Sequence, residues 1–557
     1  MNNTYSKRNI IFVFIGRNKT LLTAALFALL LSNFLNVLLP LSIGWFYEIV
    51  LHEHGTKSRL LKLFPFQFAN PEQFYFFFAA LLLLKVLFVF LEKSMSGITG
   101  ERFSRDVREL AFAHQLRHSL TSHRLRPVGK YLLRYSGDLL AIQHFLVKGI
   151  LAFTGDVFFL LAAFASLFFI QNKLAAIVVT MFLVAGAIIF LLSKAVRTAA
   201  WNRRSQRSQN LGFVSSRMQA FYTIKSFNRE TPEENSYVKR SGKLYDLGVK
   251  FMNVSAFVQS LLPLFFFGTL LIVFSQVVEL RSSKPYGISK GDVFVFVLLL
   301  LYMQSVMKRL LRVNLVWQVG IISFDKLLAL IQLPSEKRGE DKLPNEIKGS
   351  IKFDNVSFEY TKDKPVLHQF SGYLFPNSIT LLKGKQGAGK STLFKLIQKI
   401  YEPQSGKIFF DDTDYADISA FEIRKEVTLV SSEVPLLGGT VFKAVSYNTA
   451  GEKREKIMAM LNRLNIRFAD NDLANLEFKL EDGGRNISEG ARMMLQFARA
   501  LLTRKQFILL DEPFANLDEA SRALIIEQLN RLKTKRTILI IADEVPQTLF
   551  IDQIIQL

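Results

Sequence analysis

Cysteine is absent from all 557 residues. That absence excludes a disulfide framework, a thiolate zinc site and a cysteine nucleophile. Acidic residues are scarce beside basic ones, 47 against 70, which leaves a net charge of +23. A basic surface suits nucleic acid and anionic lipid equally. The cations lie in segments that also carry acids, without an aromatic-interleaved basic stripe or a nucleic-acid-binding motif, so nucleic acid is not an expected partner. Half the residues are hydrophobic, 52 of them phenylalanine, and the mean hydropathy is +0.22. That much apolar surface excludes a uniformly disordered or fibrous chain.

The apolar residues come in runs rather than evenly, which argues against a single soluble globule. A helix needs about 20 mostly apolar residues to cross the hydrocarbon core. Runs of that kind lie at Leu21–Ile43, Phe74–Leu91, Leu151–Ile170, Leu174–Leu192, Ala256–Val278 and Val293–Leu311. The first is too long for a signal peptide and lacks a small-residue cleavage site after it. Long, mixed-charge segments with helical periodicity follow the second and fourth runs, at 93–148 and 197–250, whereas Gln171–Lys173 is hardly a turn. Helices are therefore expected to extend far beyond the bilayer on one side only. Lys7, Arg8, Arg17 and Lys19, with no acid among them, put the N-terminus inside. Six crossings then return the chain to the cytoplasm.

The composition changes after Pro334. Ser335–Lys348 is charged and proline-containing, as a linker would be, and beyond it short apolar strands alternate with glycine turns and helical stretches. This is the pattern of a soluble α/β domain. The expected division is a membrane domain over 1–334, a linker over 335–348 and an α/β domain over 349–557.

The strand-like Ile379–Lys383 feeds Gly384, Lys385, Gln386, Gly387, Ala388, Gly389, Lys390, Ser391 and Thr392, and a helical pattern follows over Leu393–Ile400. This is a phosphate loop in its required strand–loop–helix setting. Its glycines let backbone amides converge on phosphate oxygens, helped by the helix N-terminus. Lys390 is expected to bridge the terminal phosphates of ATP, and the Ser391 hydroxyl to bind Mg²⁺. About 120 residues on, the apolar strand Phe507–Leu510 ends in Asp511 and Glu512. Asp511 is expected to hold Mg²⁺ and Glu512 to polarise the attacking water.

With these motifs the chain resembles, over nearly its whole length, the ATP-binding-cassette exporters of half-transporter type: six transmembrane helices with long cytoplasmic extensions, then one α/β P-loop NTPase domain. Tyr360 matches the aromatic residue that stacks on adenine. Ser405-Gly406 and Arg424 fall at familiar places. Asn486 to Arg492 occupies the signature position, so Ser488, Glu489 and Gly490 would face a partner's ATP. Asp518, in Ala515-Asn-Leu-Asp, matches the loop that contacts the opposite subunit. Gly100-Glu-Arg-Phe-Ser-Arg-Asp, Arg134-Tyr-Ser-Gly-Asp and Phe221 to Glu230 look like the exporters' cytoplasmic loops. The resemblance implies that two cassettes close head to tail on ATP and swing the membrane helices from inward- to outward-open, exporting or flipping a hydrophobic or amphiphilic substrate across the cell membrane.

Four positions depart from the family. Ser432 stands for the glutamine that links Mg²⁺ to the membrane domain, Glu489 for the first signature glycine, Ala491 for the signature glutamine and Asp543 for the switch histidine. A carboxylate near phosphates is costly at low dielectric. Two assemblies remain open, a heterodimer with a second half-transporter, slightly preferred, and a homodimer with two slow sites. The alternative function is a nucleotide-binding regulatory or weakly hydrolysing subunit of a heterodimeric transporter; Glu512 speaks against a module that only binds nucleotide.

Lys85 and Asp156 lie inside apolar runs, ~17 Å and ~21 Å from the outer ends at ~1.5 Å per residue. They are candidate substrate-pocket residues, since intramembrane charges often face a cavity or each other. The phenylalanines of the runs, such as Phe158, Phe168 and Phe265, are expected to face lipid or neighbouring helices. No peptidase segment is expected ahead of the first run.

Overall fold

The computed structural model describes residues 6–49, 70–120, 131, 134–283, 290–336, 347–361, 363–447, 451–468 and 475–557. Two compact units emerge, one from Met1–Arg117 with Leu125–Leu333, the other from His118–Arg124 with Pro334–Leu557. The expected linker lies outside the described residues over 337–346.

The first unit is helical: α1 (Lys7–Arg17), α2 (Lys19–Ile49), α3 (Pro71–Gln115), α4 (Arg134–Ile170), α5 (Asn172–Gln219), α6 (Phe221–Ser226), α7 (Glu230–Ser283) and α8 (Lys290–Ile331). Six of these, all but α1 and α6, are long and apolar enough to cross a membrane. Each expected run falls inside one of them. The helices exceed the runs because their polar ends continue the same 3.6-residue repeat into water. Only Gln171, in extended conformation, separates α4 from α5. The short α6 joins α5 to α7, so the second long charged segment is one far-reaching hairpin.

Helix α4 contains π-helical turns at Arg134–Asp138 and Phe145–Leu151. The first carries the buried Asp138, which pairs with Arg134, lies 3.5 Å from Arg204 of α5 and accepts from Ser323 Oγ of α8 at 2.8 Å. Gly155 allows α2 its approach to α4, since a Cβ there would sit 2.4 Å from Leu29 Cδ2.

Among its described residues the second unit holds two sheets. The antiparallel one has order β2-β1-β4-β5, from β1 (Ile351–Thr361), β2 (Lys364–Leu374), β4 (Ser405–Phe410) and β5 (Thr413–Asp414). The parallel one has order β6-β7-β8-β3-β9, from β3 (Ile379–Lys383), β6 (Val427–Ser431), β7 (Phe507–Asp511), β8 (Thr537–Ile541) and β9 (Gln553–Gln556). Its central strands are continuous apolar runs because both faces are covered. Ile508, Leu510, Ile538 and Ile540 pack into one core with α11 (Val441–Ser446), α12 (Arg454–Arg463), α13 (Glu489–Leu502) and α14 (Glu519–Leu532). Phe507, Leu509, Leu539 and Ile541 point the other way, into a second core with the antiparallel sheet, α9 (Lys390–Ile397) and α10 (Ala420–Glu426). This alternation is the two-residue period of a strand. Helix α9 stops at Ile397, short of the expected Ile400, because Lys399 takes φ +50° and its ammonium binds the carbonyls of Tyr415, Ala416 and Ile418.

Candidate active site

Parallel sheets gather chemistry outside the C-terminal ends of their strands. The register aligns those ends here: Ser431 pairs with Asp511, Asp511 with Ile541, and Leu382 with Ile541. The residues just beyond β3, β6, β7 and β8 therefore share one edge. They are the phosphate loop, Ser432 with Glu433, Glu512, and Asp543.

The phosphate loop needs its glycines. Gly387 and Gly389 have φ +85° and +97°, and a Cβ on Gly389 would lie 2.8 Å from Leu367 Cδ2 and 3.1 Å from Val366 O. A Cβ on Gly384 would approach Leu557 O to 3.0 Å. Lys385, Gln386 and Gly387 form the exposed crest, with Ala388 half-buried behind them. Lys390 opens α9 and turns back over the loop, where its ammonium donates to Gly384 O at 2.7 Å and to Asp543 Oδ1 at 3.3 Å. The next two residues reach the neighbouring strands. The Ser391 hydroxyl lies beside the Asp511 carboxylate and favours its ionised form, and Thr392 Oγ1 lies 3.0 Å from Tyr360 Oη. Edge-on contacts with Phe358 at 4.9 Å and Tyr401 at 5.3 Å fix the Tyr360 ring, which stays 45% exposed. An aromatic held this way can take a flat base on its free face.

Glu512 has φ +47°, a sparsely populated conformation for a residue with a side chain. The sheet holds it there, since its N–H donates to Ile541 O at 2.8 Å. Burial pushes the Glu512 carboxyl above its ordinary range, and the charges of Asp543 and Asp511 add to the push. Asp511 is raised as well, by burial and then by Glu433, against the Ser391 hydroxyl and Lys395 and Lys390. The edge is thus acid-rich. Ser391 and Asp511 are hard oxygen donors that already meet, which fits Mg²⁺ beside a phosphate group. Ser432 and Glu433 are exposed. Gln496, fully buried, clamps their turn by accepting from Ser431 N at 3.0 Å and donating to Val434 O at 2.9 Å. Sequence reasoning missed Gln496; a lone amide within the apolar repeat of α13 was its signal.

The signature residues stand at the start of α13. Ser488 caps the helix by accepting from Ala491 N at 3.1 Å, and Ala491 is buried. Gly490 makes room for Asn516 O, 2.7 Å from where its Cβ would stand. Glu489 turns onto the same loop, accepting from Asn516 Nδ2 at 2.9 Å. Its carboxylate is therefore engaged within its own chain. Asp518 caps α14 through Ser521 N at 2.6 Å, which holds its carboxyl below the ordinary range.

In the helical unit the structure gives Lys85 and Asp156 separate partners. Lys85 of α3 donates to Ser32 O at 2.7 Å and Ser32 Oγ at 3.1 Å. Asp156, 4% exposed, accepts a fork from Arg309 of α8 at 2.6–3.1 Å. Neither lines the cavity of about 300 Å³ between α5, α7 and α8, whose charged residues are Arg197, Lys308 and Arg312. Lys308 and Arg309 sit in the last turn of the run Val293–Leu311; two adjacent cations there were the signal for both.

Comparison with known proteins gives a single picture. Residues 22–307 match the ABC transporter transmembrane region and residues 367–515 match the ABC transporter domain. An ATP-dependent lipid A-core flippase of Syntrophus aciditrophicus is 25% identical over 476 residues, which cover 84% of this chain and 78% of the flippase. Another, of Nitrosococcus oceani, is 27% identical over 469 residues, 82% of this chain and 77% of its own. A bacterial Atm1-family ABC exporter with ATP bound has the same fold, with a TM-score of 0.80 at 21% identity, covering 97% of this chain and 93% of that one. The chain is a multi-pass membrane protein with a cytoplasmic ATP-hydrolysing domain.

Proposed function

The chain belongs to the ABC transporter family, and from that premise we propose that it is one half of a dimeric exporter that moves an anionic amphiphile across the cell membrane. The observation that carries the substrate class is the cavity between α5, α7 and α8. Among the described residues that line it, Arg197, Lys308 and Arg312 carry the charge and none is acidic, beside apolar residues that include Ile189, Phe251 and Leu262. These cations follow the apolar runs of α5 and α8 or end them, at the depth of lipid head groups. Such a lining binds a negatively charged head while its apolar wall accepts chains. Two relatives bearing the name lipid A-core flippase support the same class.

The phosphate edge supplies the drive. Backbone amides of the glycine loop and Lys390 hold the phosphates, Tyr360 carries the base, and Glu512 orients water and takes its proton. Mg²⁺, held by Ser391 and Asp511, would neutralise the phosphates' charge. ATP binds the closed pair of cassettes better than the open one, and that differential affinity is what can bias the membrane helices. The partner is read as an unlike half-transporter. An intact signature from such a partner would complete the site built on Lys390 and Glu512, whereas this chain offers Glu489. Native mass of the purified complex tests this, and a complex of one chain type overturns it.

Transport is tested in proteoliposomes with fluorescent lipids. Mg-ATP is expected to drive an anionic lipid across and a zwitterionic one several-fold less, and Glu512→Gln to abolish the movement. Lys308→Ala with Arg312→Ala is expected to remove the preference for the anionic lipid while basal ATPase persists. An unchanged preference would refute the assignment of the cavity.

A further inference from the structure

We propose that Asp543 is a specificity-determining residue of the nucleotide site, which loads the site for the diphosphate against the triphosphate. The inference rests on reading the phosphate edge as the ATP site, and it follows from where the ladder puts this carboxylate. Ile541, the last residue of β8, pairs with Asp511, and its carbonyl accepts from Glu512 N. Asp543, two residues on, is thereby held opposite Glu512 and within 3.3 Å of the Lys390 ammonium.

The two partners differ in freedom. The Lys390 side chain is 13% exposed and tied to Gly384 O at 2.7 Å, so its position over the loop is set. The Asp543 side chain is 83% exposed. An ion pair with so exposed a member is screened by water and is readily displaced. An ammonium has three hydrogens to give, and in this structure one goes to the loop and one to Asp543. A β-phosphate still finds the loop amides and the remaining hydrogen. A terminal phosphate that approaches Lys390 from the side Asp543 holds meets there a carboxylate 3.3 Å from the ammonium, whose charge also acts on Glu512. Like charges a few ångströms apart repel even at the edge of a protein. The triphosphate is opposed twice, by competition for Lys390 and by repulsion, whereas the diphosphate, held by the loop amides and the remaining hydrogen, meets neither.

Dissociation constants of Mg-ATP and Mg-ADP, measured by calorimetry on the purified complex in the Glu512→Gln background, test this. Asp543→Asn keeps the shape and removes the charge. It is expected to tighten Mg-ATP by about tenfold, equivalent to about 1.4 kcal/mol, and to change Mg-ADP by less than about threefold. Asp543→Ser should repeat the gain, and Asp543→Glu should keep the parent ratio of the two constants. Equal shifts for both nucleotides, or none, overturn the proposal, as does a loss of Mg-ATP binding in both neutral variants while Mg-ADP still binds. Absence of binding of either nucleotide to the parent protein would instead remove the site on which the proposal stands.

Discussion

Two ion pairs, each closing across 153 residues of chain, are built in opposite ways. Between α4 and α8, the carboxylate of Asp156 is 5% exposed by side chain and receives a guanidinium fork with three contacts of 2.6–3.1 Å. At the nucleotide edge, the carboxylate of Asp543 is 83% exposed and makes one contact of 3.3 Å to Lys390. Water cannot compete for the first carboxylate and competes freely for the second. A bidentate pair around a buried acid fixes the relative placement of two helices. A monodentate pair around an exposed acid leaves its cation available to a ligand that binds more strongly. The first is a fastening and the second is a stopper.

The largest effect expected from this contrast is on stability. Arg309→Met strands a buried carboxylate and is expected to destabilise the helical unit by about 3 kcal/mol, read as a lower unfolding midpoint in nanodiscs. Adding Asp156→Asn should recover most of that loss, because no buried charge then remains unpaired. If the single variant unfolds like the parent, the fastening does not exist. Asp543→Asn is expected to change the midpoint by less than about 0.5 kcal/mol, in keeping with an exposed pair; a loss as large as that of Arg309→Met would erase the distinction between the two.

A smaller effect concerns Glu489. Its bond to Asn516 is exposed, so Glu489→Ala should cost about 0.5–1 kcal/mol. The same variant removes a carboxylate from the signature and should strengthen ATP-dependent association of the cassettes, measured by cross-linking. The smallest concerns Asp552, which accepts from Ile379 N at 2.8 Å and Lys533 Nζ at 3.0 Å and so joins β9 to β3. Burial opposes its ionisation, but these partners outweigh burial and hold the carboxyl below its ordinary range. The sign follows: its stabilisation is complete above the unfolded value of about 4 and is lost as pH falls through the lower folded value. Asp552→Asn should flatten that acid limb of the unfolding curve.

The same contrast marks how far the chain could be read in advance. The phosphate loop and the acids ending β7 were legible because their chemistry is local, with glycines at fixed offsets from Lys390 and an apolar strand running into Asp511. The six apolar runs were legible for the same reason. Asp156 could be singled out as a charge in an apolar run, but its partner Arg309 belongs to another run, and nothing in spacing joins them. The end of α9 was missed because a lysine in a left-handed conformation, held by three carbonyls of a distant turn, leaves no local signal. Asp543 and Glu489 were legible as departures from a pattern, and their directions were not. One turns to Lys390 and the other to Asn516, through contacts that only the closed fold creates.

Whether nucleotide held at this edge is hydrolysed to drive the membrane helices is decided by phosphate release from Mg-ATP by the purified complex in lipid nanodiscs. Release is expected to fall by at least about 10²-fold in Glu512→Gln, with ATP still bound, and binding to be lost in Lys390→Ala. Undiminished release without the Glu512 carboxylate, or no affinity for Mg-ATP in the wild-type protein, would contradict hydrolysis at this edge.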